Sequence, residues 1–229
     1  MSVNVDTVYQ RVLALTNKEQ RGYITPQEFN IMANQAQLDI FEQYFYDLNQ
    51  FARLPGNSTE YSDMLDILEE KISLFEKVNV AVSNGVTLPS DVYRLGSILY
   101  NGIDAEHITQ KNWLYIKKSP LSQPSNDFPV YLRDSETNAV KVYADSISAN
   151  ETSGVTCNYI KTPTPVVWAA NLITGTYNES ASTPFELHAS EETELVIKIL
   201  ALAGIILKDP GLYQIGSAED VKNVQQEKA

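Results

Sequence analysis

The amino-acid sequence predicts an α+β fold with an N-terminal helical bundle, an antiparallel β-meander or small barrel, and a buried C-terminal helix. Three observations predict this class: helical periodicity up to residue 78, short β-branched segments between turn signals after it, and one long apolar stretch near the C-terminus. The boundaries that follow are residues 1–78 plus 189–229 for a helical core, and residues 79–188 for an antiparallel β domain with a long exit loop.

Composition limits the functions that are open to the chain. Of its 229 residues, 43% are hydrophobic and 20% are charged, as in ordinary globular proteins. The net charge is −12 and the densest basic pair is Lys117–Lys118, so a basic patch for nucleic-acid phosphates is not expected. The single cysteine, Cys157, fits a reducing compartment. We recognise no secretory signal or membrane-spanning stretch, and therefore expect a soluble, cytosolic product.

The first two helices have clear signals. The segment "VDTVYQRVLALTN" repeats apolar residues at helical spacing. The second helix begins with Thr25 as N-cap, Pro26 at the first helical position and Glu28 completing a capping box. It is expected to continue to about Arg53.

The second helix also has a wide apolar face. One stripe contains Phe29, Ala33, Ala36, Ile40 and Tyr44, and a stripe beside it contains Phe41, Phe45, Leu48 and Ala52. Together they widen the apolar arc to about 140°, beyond the ~100° of an ordinary surface helix. Either the third helix, predicted within "EYSDMLDILEEKISLFEKV", covers this surface, or a neighbouring subunit does.

After Val78 the pattern changes to that of strands. Asn-Gly steps in "SNG" and "YNG" predict tight hairpins, because both central positions of a type I′ turn require positive φ. Further strands are predicted in "NWLYIKK", "FPVYLRD", "AVKVYADS" and "GVTCNYIK". Their spacing favours an antiparallel sheet or a small barrel.

The last third returns to helix. Ser190 is the predicted N-cap, with Glu191, Glu192 and Glu194 in the first turn, where carboxylates stabilise the helix dipole. Because this helix is apolar almost all round, we expect it to lie beneath the sheet as the central helix. The polar tail that follows is expected to form a short exposed helix or to order on a partner.

The sequence contains no recognisable catalytic motif. His107 has Asp104 and Glu106 beside it, but a third metal ligand is missing, so a solvated strand face is the favoured interpretation. Cys157 has no local base, which favours a buried structural thiol over a nucleophile. No phosphate-binding loop, GxSxG or HExxH pattern occurs. We expect a non-enzyme without catalytic residues, metal or cofactor; an enzyme built on Asp and Glu is the weaker interpretation.

Four segments carry a likeness to a known family: "NKEQRGYITPQEFNIMANQAQLDIFEQYF", "VTLPSDVYRLGSILYNG", "NYIKTPTPVVWA" and "FELHASEETELVIKILALAGIILKDPGLYQIGSAEDVKNVQQ". In this order they resemble the head-to-tail connector proteins of tailed bacteriophages, especially the adaptor ring subunits called tail tubular protein A. The resemblance implies a homo-oligomeric, dodecameric ring at the head-tail junction of the virion, made in the host cytoplasm. Its implied partners are other copies of itself, the portal protein, and tail or neighbouring ring proteins, with DNA passing through the lumen without specific binding and no membrane involved.

The candidate residues for subunit or partner contact are Phe41, Phe45, Leu48, Trp168, Tyr177 and Tyr213. In "NYIKTPTPVVWA", Pro163 and Pro165 cannot donate to a strand ladder, so the strand must end or lie at an edge. Trp168 is expected to anchor the departing chain. Residues 173–183 then form either a loop that reaches a neighbouring subunit or ring through Tyr177, or a floppy surface loop.

A second function class stays open. The protein would then be a soluble, monomeric protein- or glycan-binding module, in which aromatic residues of "NWLYIKK" and "FPVYLRD" line a groove. The oligomeric state, alone and with the portal protein, separates the two hypotheses.

Overall fold

The computed structural model describes residues 2–17, 24–51, 64–134, 137–145, 149–171 and 175–206, with positions 214, 216, 218, 219, 221 and 222. The chain divides into a helical unit, Met1–Leu74 with Pro163–Ala229, and a β unit, Phe75–Thr162. Helices and sheets are both present, which confirms the α+β class. Residues 163–188, assigned to the β domain by the sequence pattern, belong to the helical unit.

The regular elements follow one another in this order: α1 (Val5–Asn17), α2 (Pro26–Phe51), α3 (Met64–Ser73), β1 (Glu76–Ala81), β2 (Val92–Tyr100), β3 (Ile103–Asp104), β4 (Glu106–His107), α4 (Gln110–Ile116), β5 (Val130–Asp134), β6 (Ala139–Tyr143), β7 (Val155–Lys161) and α5 (Glu192–Ile206), with 3-10 turns at Glu179–Ala181 and Ala189–Glu191. Among the described residues, every helix is too short or too polar to span a lipid bilayer.

The predicted capping box opens α2. The backbone N–H and the hydroxyl of Thr25 both donate to Glu28 Oε2, at 2.8 and 2.7 Å, and the Glu28 N–H donates back to Thr25 Oγ1 at 3.3 Å. The hydrogen bond from the Thr25 backbone lowers the pKa of the Glu28 carboxyl. These contacts satisfy N–H groups that have no partner inside the helix.

The wide apolar face of α2 is buried within its own unit. Its fully buried side chains include Phe29, Ala33, Ala36, Ile40 and Phe41. Both α3 and α5 pack on α2, and α5 also packs on α1. Helix α5, which was expected to lie beneath the sheet as the central helix, belongs to the helical unit, and the β unit has a core of its own.

Two predicted helix limits are wrong. The third helix was expected to reach Val78, but it ends at Ser73 because residues 76–81 pair with β7 as a strand. Ser190 was expected to cap α5, but His188 is the cap: its side chain accepts a hydrogen bond from the Ser190 N–H at 3.3 Å. A 3-10 turn at Ala189–Glu191 separates this cap from α5.

The β unit contains two sheets and, in the part of the chain that is described, no closed barrel. The larger sheet has the strand order β1-β7-β2-β3, so the last strand lies between the first two, which a simple meander would not allow. The smaller sheet has the order β4-β5-β6, and its β4–β5 pair is parallel. The core between these strands includes Ile98, Val140, Val142 and Cys157, all fully buried.

Both Asn-Gly steps form turns with positive φ, as predicted. Asn101 and Gly102, with φ of 48° and 85°, connect β2 to β3. Asn84 and Gly85, with φ of 51° and 63°, lie in the turn after β1. A Cβ atom on Gly85 would lie 2.5 Å from the carbonyl oxygen of Glu151, so this turn requires glycine for space as well as for conformation.

The segment "NWLYIKK" is not a strand but contains most of α4. Thr109 caps this helix by accepting from the Asn112 N–H at 3.4 Å. Trp113 and Ile116, three residues apart, then face the smaller sheet, where Trp113 stacks on Tyr143 with ring centroids 4.2 Å apart. Burial of this tryptophan explains why a short segment with strand-like composition becomes helical.

Candidate functional site

The extended segment at residues 163–168, called the proline segment below, docks along α2 through side-chain amides. Asn34 accepts from the Val166 N–H at 2.8 Å and donates to the Val166 carbonyl at 2.9 Å. Asn30 makes the same pair of bonds with the backbone of Trp168, at 2.8 and 3.2 Å. Gln37 donates to the carbonyl of Thr164 at 3.0 Å. We call these three carboxamides the amide ladder.

The helix and strand repeats explain why the amide ladder fits. Four residues of α-helix advance about 6 Å, and two residues of extended chain advance about 6.6 Å. Asn30 and Asn34 therefore meet alternate residues of the proline segment, which runs antiparallel to α2. The carboxamides take the place of a neighbouring strand, so the prolines remove no ladder bond that the segment needs.

Trp168 is an internal anchor. It is 6% exposed, its Nε1–H donates to Asp6 Oδ1 at 2.9 Å, and its ring lies 4.4 Å from that of Tyr9. Tyr177 is half-buried, 5.9 Å from the Trp168 ring, in a loop that folds back through isolated bridges. The segment quoted for the connector likeness is thus a corner of the fold, and residues 175–183 lie against that corner.

The structure places the other contact candidates as follows. Phe41 and Phe45 are buried, at 0% and 6% exposure, with their rings 5.1 Å apart in the helical core. Leu48 is half-buried, and Tyr213 lies outside the described residues. Their own unit already covers Phe41 and Phe45, so exposed residues are the better candidates for partner contact.

One exposed surface lies on the side of α2 that faces away from its buried apolar residues. We call it the α2 face, and it contains Ile31, Leu38, Asp39, Glu42 and Tyr46. These residues fall within an arc of about 100° on a helical projection. Ile31 is 71% exposed, Tyr46 64% and Leu38 38%. Sequence periodicity did not single them out, because polar residues separate them and the buried stripe is stronger.

A second exposed surface is the α4 insertion, residues 108–129, between β4 and β5. It exposes Leu114, Tyr115, Leu121 and Phe128, of which Leu121 is 99% exposed and Phe128 78%. Trp113 and Ile116 face the sheet, so Leu114 and Tyr115 must point outward from α4. Large apolar side chains at such exposure indicate a binding surface when several occur together.

The β unit also has a groove of about 400 Å³ on its larger sheet, lined by residues of β1, β2 and β7. Gly96 forms part of it, and a Cβ atom there would lie 3.0 Å from the Asn158 carbonyl oxygen. Asn158 bridges both neighbouring strands, since it accepts from the Asn79 N–H at 2.7 Å and donates to Ser97 Oγ at 2.9 Å. Of the aromatic residues expected to line a groove, Trp113 and Tyr131 are buried, whereas Tyr115 and Phe128 are exposed but do not line this groove.

Several titratable residues of the described ranges have surroundings that shift their pKa. Cys157 is fully buried, and burial, with the charge of Asp91, raises the pKa of its thiol. Burial and a 2.9 Å hydrogen bond to Asp91 raise the pKa of Tyr159 to about 12. His107 is exposed on β4. Within the described ranges, no three His, Cys, Asp or Glu side chains are grouped as a metal site requires.

Ion pairs connect the helices of the helical unit, and the pair of Lys71 with Glu191 is buried. Lys71 Nζ on α3 lies 2.7 Å from Glu191 Oε1, with side chains 15% and 4% exposed. Arg11 on α1 makes a pair of the same length with Glu192, but its side chain is 54% exposed. The two pairs connect α3 and α1 to the start of α5, which favours a structural role for them.

Compared with known proteins, the chain matches no family model and no curated protein sequence.

Proposed function

We propose that this protein is a structural, non-enzymatic virion subunit of a tailed phage. Many copies form a homo-oligomeric ring that joins the portal and head to the tail and lets DNA pass. The observation that carries this proposal is the presence of two unlike exposed apolar surfaces, the α2 face and the α4 insertion, on two different units.

Two unlike surfaces are what a ring requires. A cyclic ring of more than two subunits uses a heterologous contact, in which one surface of each subunit meets a different surface of the next. A two-fold dimer would need only one self-complementary surface. The likeness of the four sequence segments to connector proteins supports the same arrangement.

The charge of the chain suits the passage of DNA. A net charge of −12 repels phosphates, and affinity for nucleic acid depends on clustered Lys and Arg. A ring subunit with this balance would keep DNA moving through the lumen instead of binding it.

Light scattering coupled to size-exclusion chromatography tests the proposal, on the protein alone and mixed with its portal protein. We expect a ring-sized species in at least one sample. Leu121→Ser should reduce that species, whereas Leu15→Ser, which removes a leucine 47% exposed on α1 and outside both surfaces, should not. A monomer in both samples, without co-elution, would refute the ring.

The groove on the larger sheet supports the alternative, a monomeric protein- or glycan-binding module. Its volume of about 400 Å³ falls in the ~300–1,000 Å³ range of ligand sites. Its lining contains a single aromatic residue, Tyr159, which suits a peptide better than a stacked sugar. A strict monomer would make this groove the next site to test.

A further inference from the structure

We propose that the α4 insertion of one subunit docks on the α2 face of the next copy. This inference rests on the proposed ring and names the two surfaces that form its repeating contact.

The two surfaces have opposite charge. The α4 insertion contains three lysines, Lys111, Lys117 and Lys118, against one aspartate, Asp127. It carries +2, so the rest of this chain of net charge −12 carries −14. All four charged side chains are exposed. The insertion is therefore a cationic surface on a strongly acidic protein, and other copies of the chain are partners of the opposite sign.

Helix α2 is the complementary element. Its 26 residues include four carboxylates and no lysine or arginine, a net charge of −4. Asp39 and Glu42 are exposed on the α2 face, between Leu38 and Tyr46. An amide of Gln35 donates to Asp39 Oδ1 at 2.7 Å, which orients that carboxylate on the helix surface.

Both surfaces combine charge with exposed apolar side chains in similar number. The α2 face exposes Ile31, Leu38 and Tyr46, and the insertion exposes Leu114, Tyr115, Leu121 and Phe128. Burial of apolar residues provides most of the favourable free energy of association, and the charged pairs determine orientation and the rate of encounter. A surface that is both apolar and basic fits one that is both apolar and acidic.

Each surface is anchored by contacts inside its own unit. The stacking of Trp113 on Tyr143 holds α4 on the smaller sheet, and the Thr109 cap stabilises the first turn of α4. The amide ladder holds the other side of α2 against the proline segment. Because neither surface needs to reorganise, little conformational entropy is lost on docking.

Charge exchange tests the contact directly, by light scattering in the presence of portal protein. Lys117→Glu/Lys118→Glu and, separately, Asp39→Lys/Glu42→Lys should each lower the assembled fraction about tenfold or more. A mixture of the two double variants should recover assembly as an alternating ring, in which native and reversed contacts follow one another and both pair opposite charges. The quadruple variant, which carries both reversals in one chain, tests the same contact in a ring of identical subunits. It should assemble to within about threefold of wild type, because every contact regains opposite charges.

The control is Lys77→Glu/Lys141→Glu, which changes net charge by the same amount at two exposed lysines of the β unit outside both surfaces. It should leave assembly unchanged. Circular dichroism on every variant checks that the fold is retained.

The outcomes separate this inference from the proposed function. A wild-type ring that neither reversal affects overturns the docking assignment and leaves the ring intact. Loss in both double variants without recovery in the quadruple variant also overturns it, since the surfaces then do not face each other. A wild-type protein that stays monomeric with portal overturns the proposed function, and the docking assignment with it.

Discussion

Replacing Asn34 by alanine tests whether the amide ladder stabilises the helical unit. The substitution removes both partners of the Val166 backbone, whose N–H and carbonyl lie 2.8 and 2.9 Å from the carboxamide. Val166 is 0% exposed, so water cannot replace these bonds without a structural change. Each buried polar group left without a partner costs about 1–3 kcal/mol, which predicts a loss of about 2–4 kcal/mol in the free energy of unfolding.

The assay is urea denaturation followed by tryptophan fluorescence. The chain has two tryptophans, so in a Trp113→Phe background Trp168 alone reports on the helical unit. The urea midpoint should fall by about 1–2 M. Asn49→Ala on the same helix is the matched control, because that exposed side chain bonds only to the Phe45 carbonyl one turn earlier, and it should change stability by less than about 0.5 kcal/mol. Equal effects of the two substitutions would refute the reasoning.

Three further predictions concern stability. Lys71→Met leaves the buried Glu191 carboxylate without its cation and should lower the free energy of unfolding by about 3 kcal/mol. Arg11→Met, at an exposed pair, should lower it by less than about 1 kcal/mol. Similar losses in both variants would show that burial does not determine the strength of these ion pairs. In wild type, the contribution of Tyr159 to the free energy of unfolding should be constant below about pH 10 and be lost as the pH rises toward 12, because the unfolded phenol ionises near 10 and the folded one at about 12. Tyr159→Phe should make the alkaline loss of stability smaller, and a loss of unchanged size in the variant would assign it to other groups such as the Cys157 thiol. Gly85→Ala should lower the melting temperature in calorimetry far more than Gly102→Ala, since both glycines have positive φ but only Gly85 has backbone atoms within 4 Å of a new Cβ. Equal losses would mean that the positive φ alone, and not the lack of space, causes the destabilisation.

Local signals predicted the starts of α1 and α2. The capping box at Thr25 and the periodicity from Val5 depend on residues within one or two turns, and the structure confirms both. The Asn-Gly turns were predictable for the same reason, since positive φ is a local requirement. These features need no knowledge of distant contacts.

Other features depend on residues far apart in the sequence. The segment of α4 fits the alternation of a strand as well as the three-residue spacing of a helix. The helix is favoured because Trp113 then stacks on Tyr143, thirty residues later in the sequence. The amide ladder connects residues that are 127 to 138 positions apart. Three carboxamides at i, i+4 and i+7 on one side of α2 are a signal that could have suggested it.

The number of apolar residues in a sequence segment does not predict which of them are exposed for contact with a partner. Phe41 and Phe45 belong to the apolar stripe that suggested a subunit contact, and the helical unit buries both. The exposed apolar residues of α2 are scattered among polar ones, and their exposure depends on which side α3 and α5 cover. The α4 insertion had a compositional signal, a short cationic segment in an acidic chain, that periodicity does not detect.

The division of the chain has a consequence for the order in which the protein folds during synthesis. The β unit is one uninterrupted stretch, so its sheets can close as soon as residue 162 has left the ribosome. The helical unit is split around it, and α2 receives the backbone partners of its amide ladder and the packing of α5 only from residues after 163. A nascent chain therefore has a folded β unit at a stage when α5 has not yet been synthesised and does not cover the apolar side of α2. Chaperone binding during this interval should concentrate on α2.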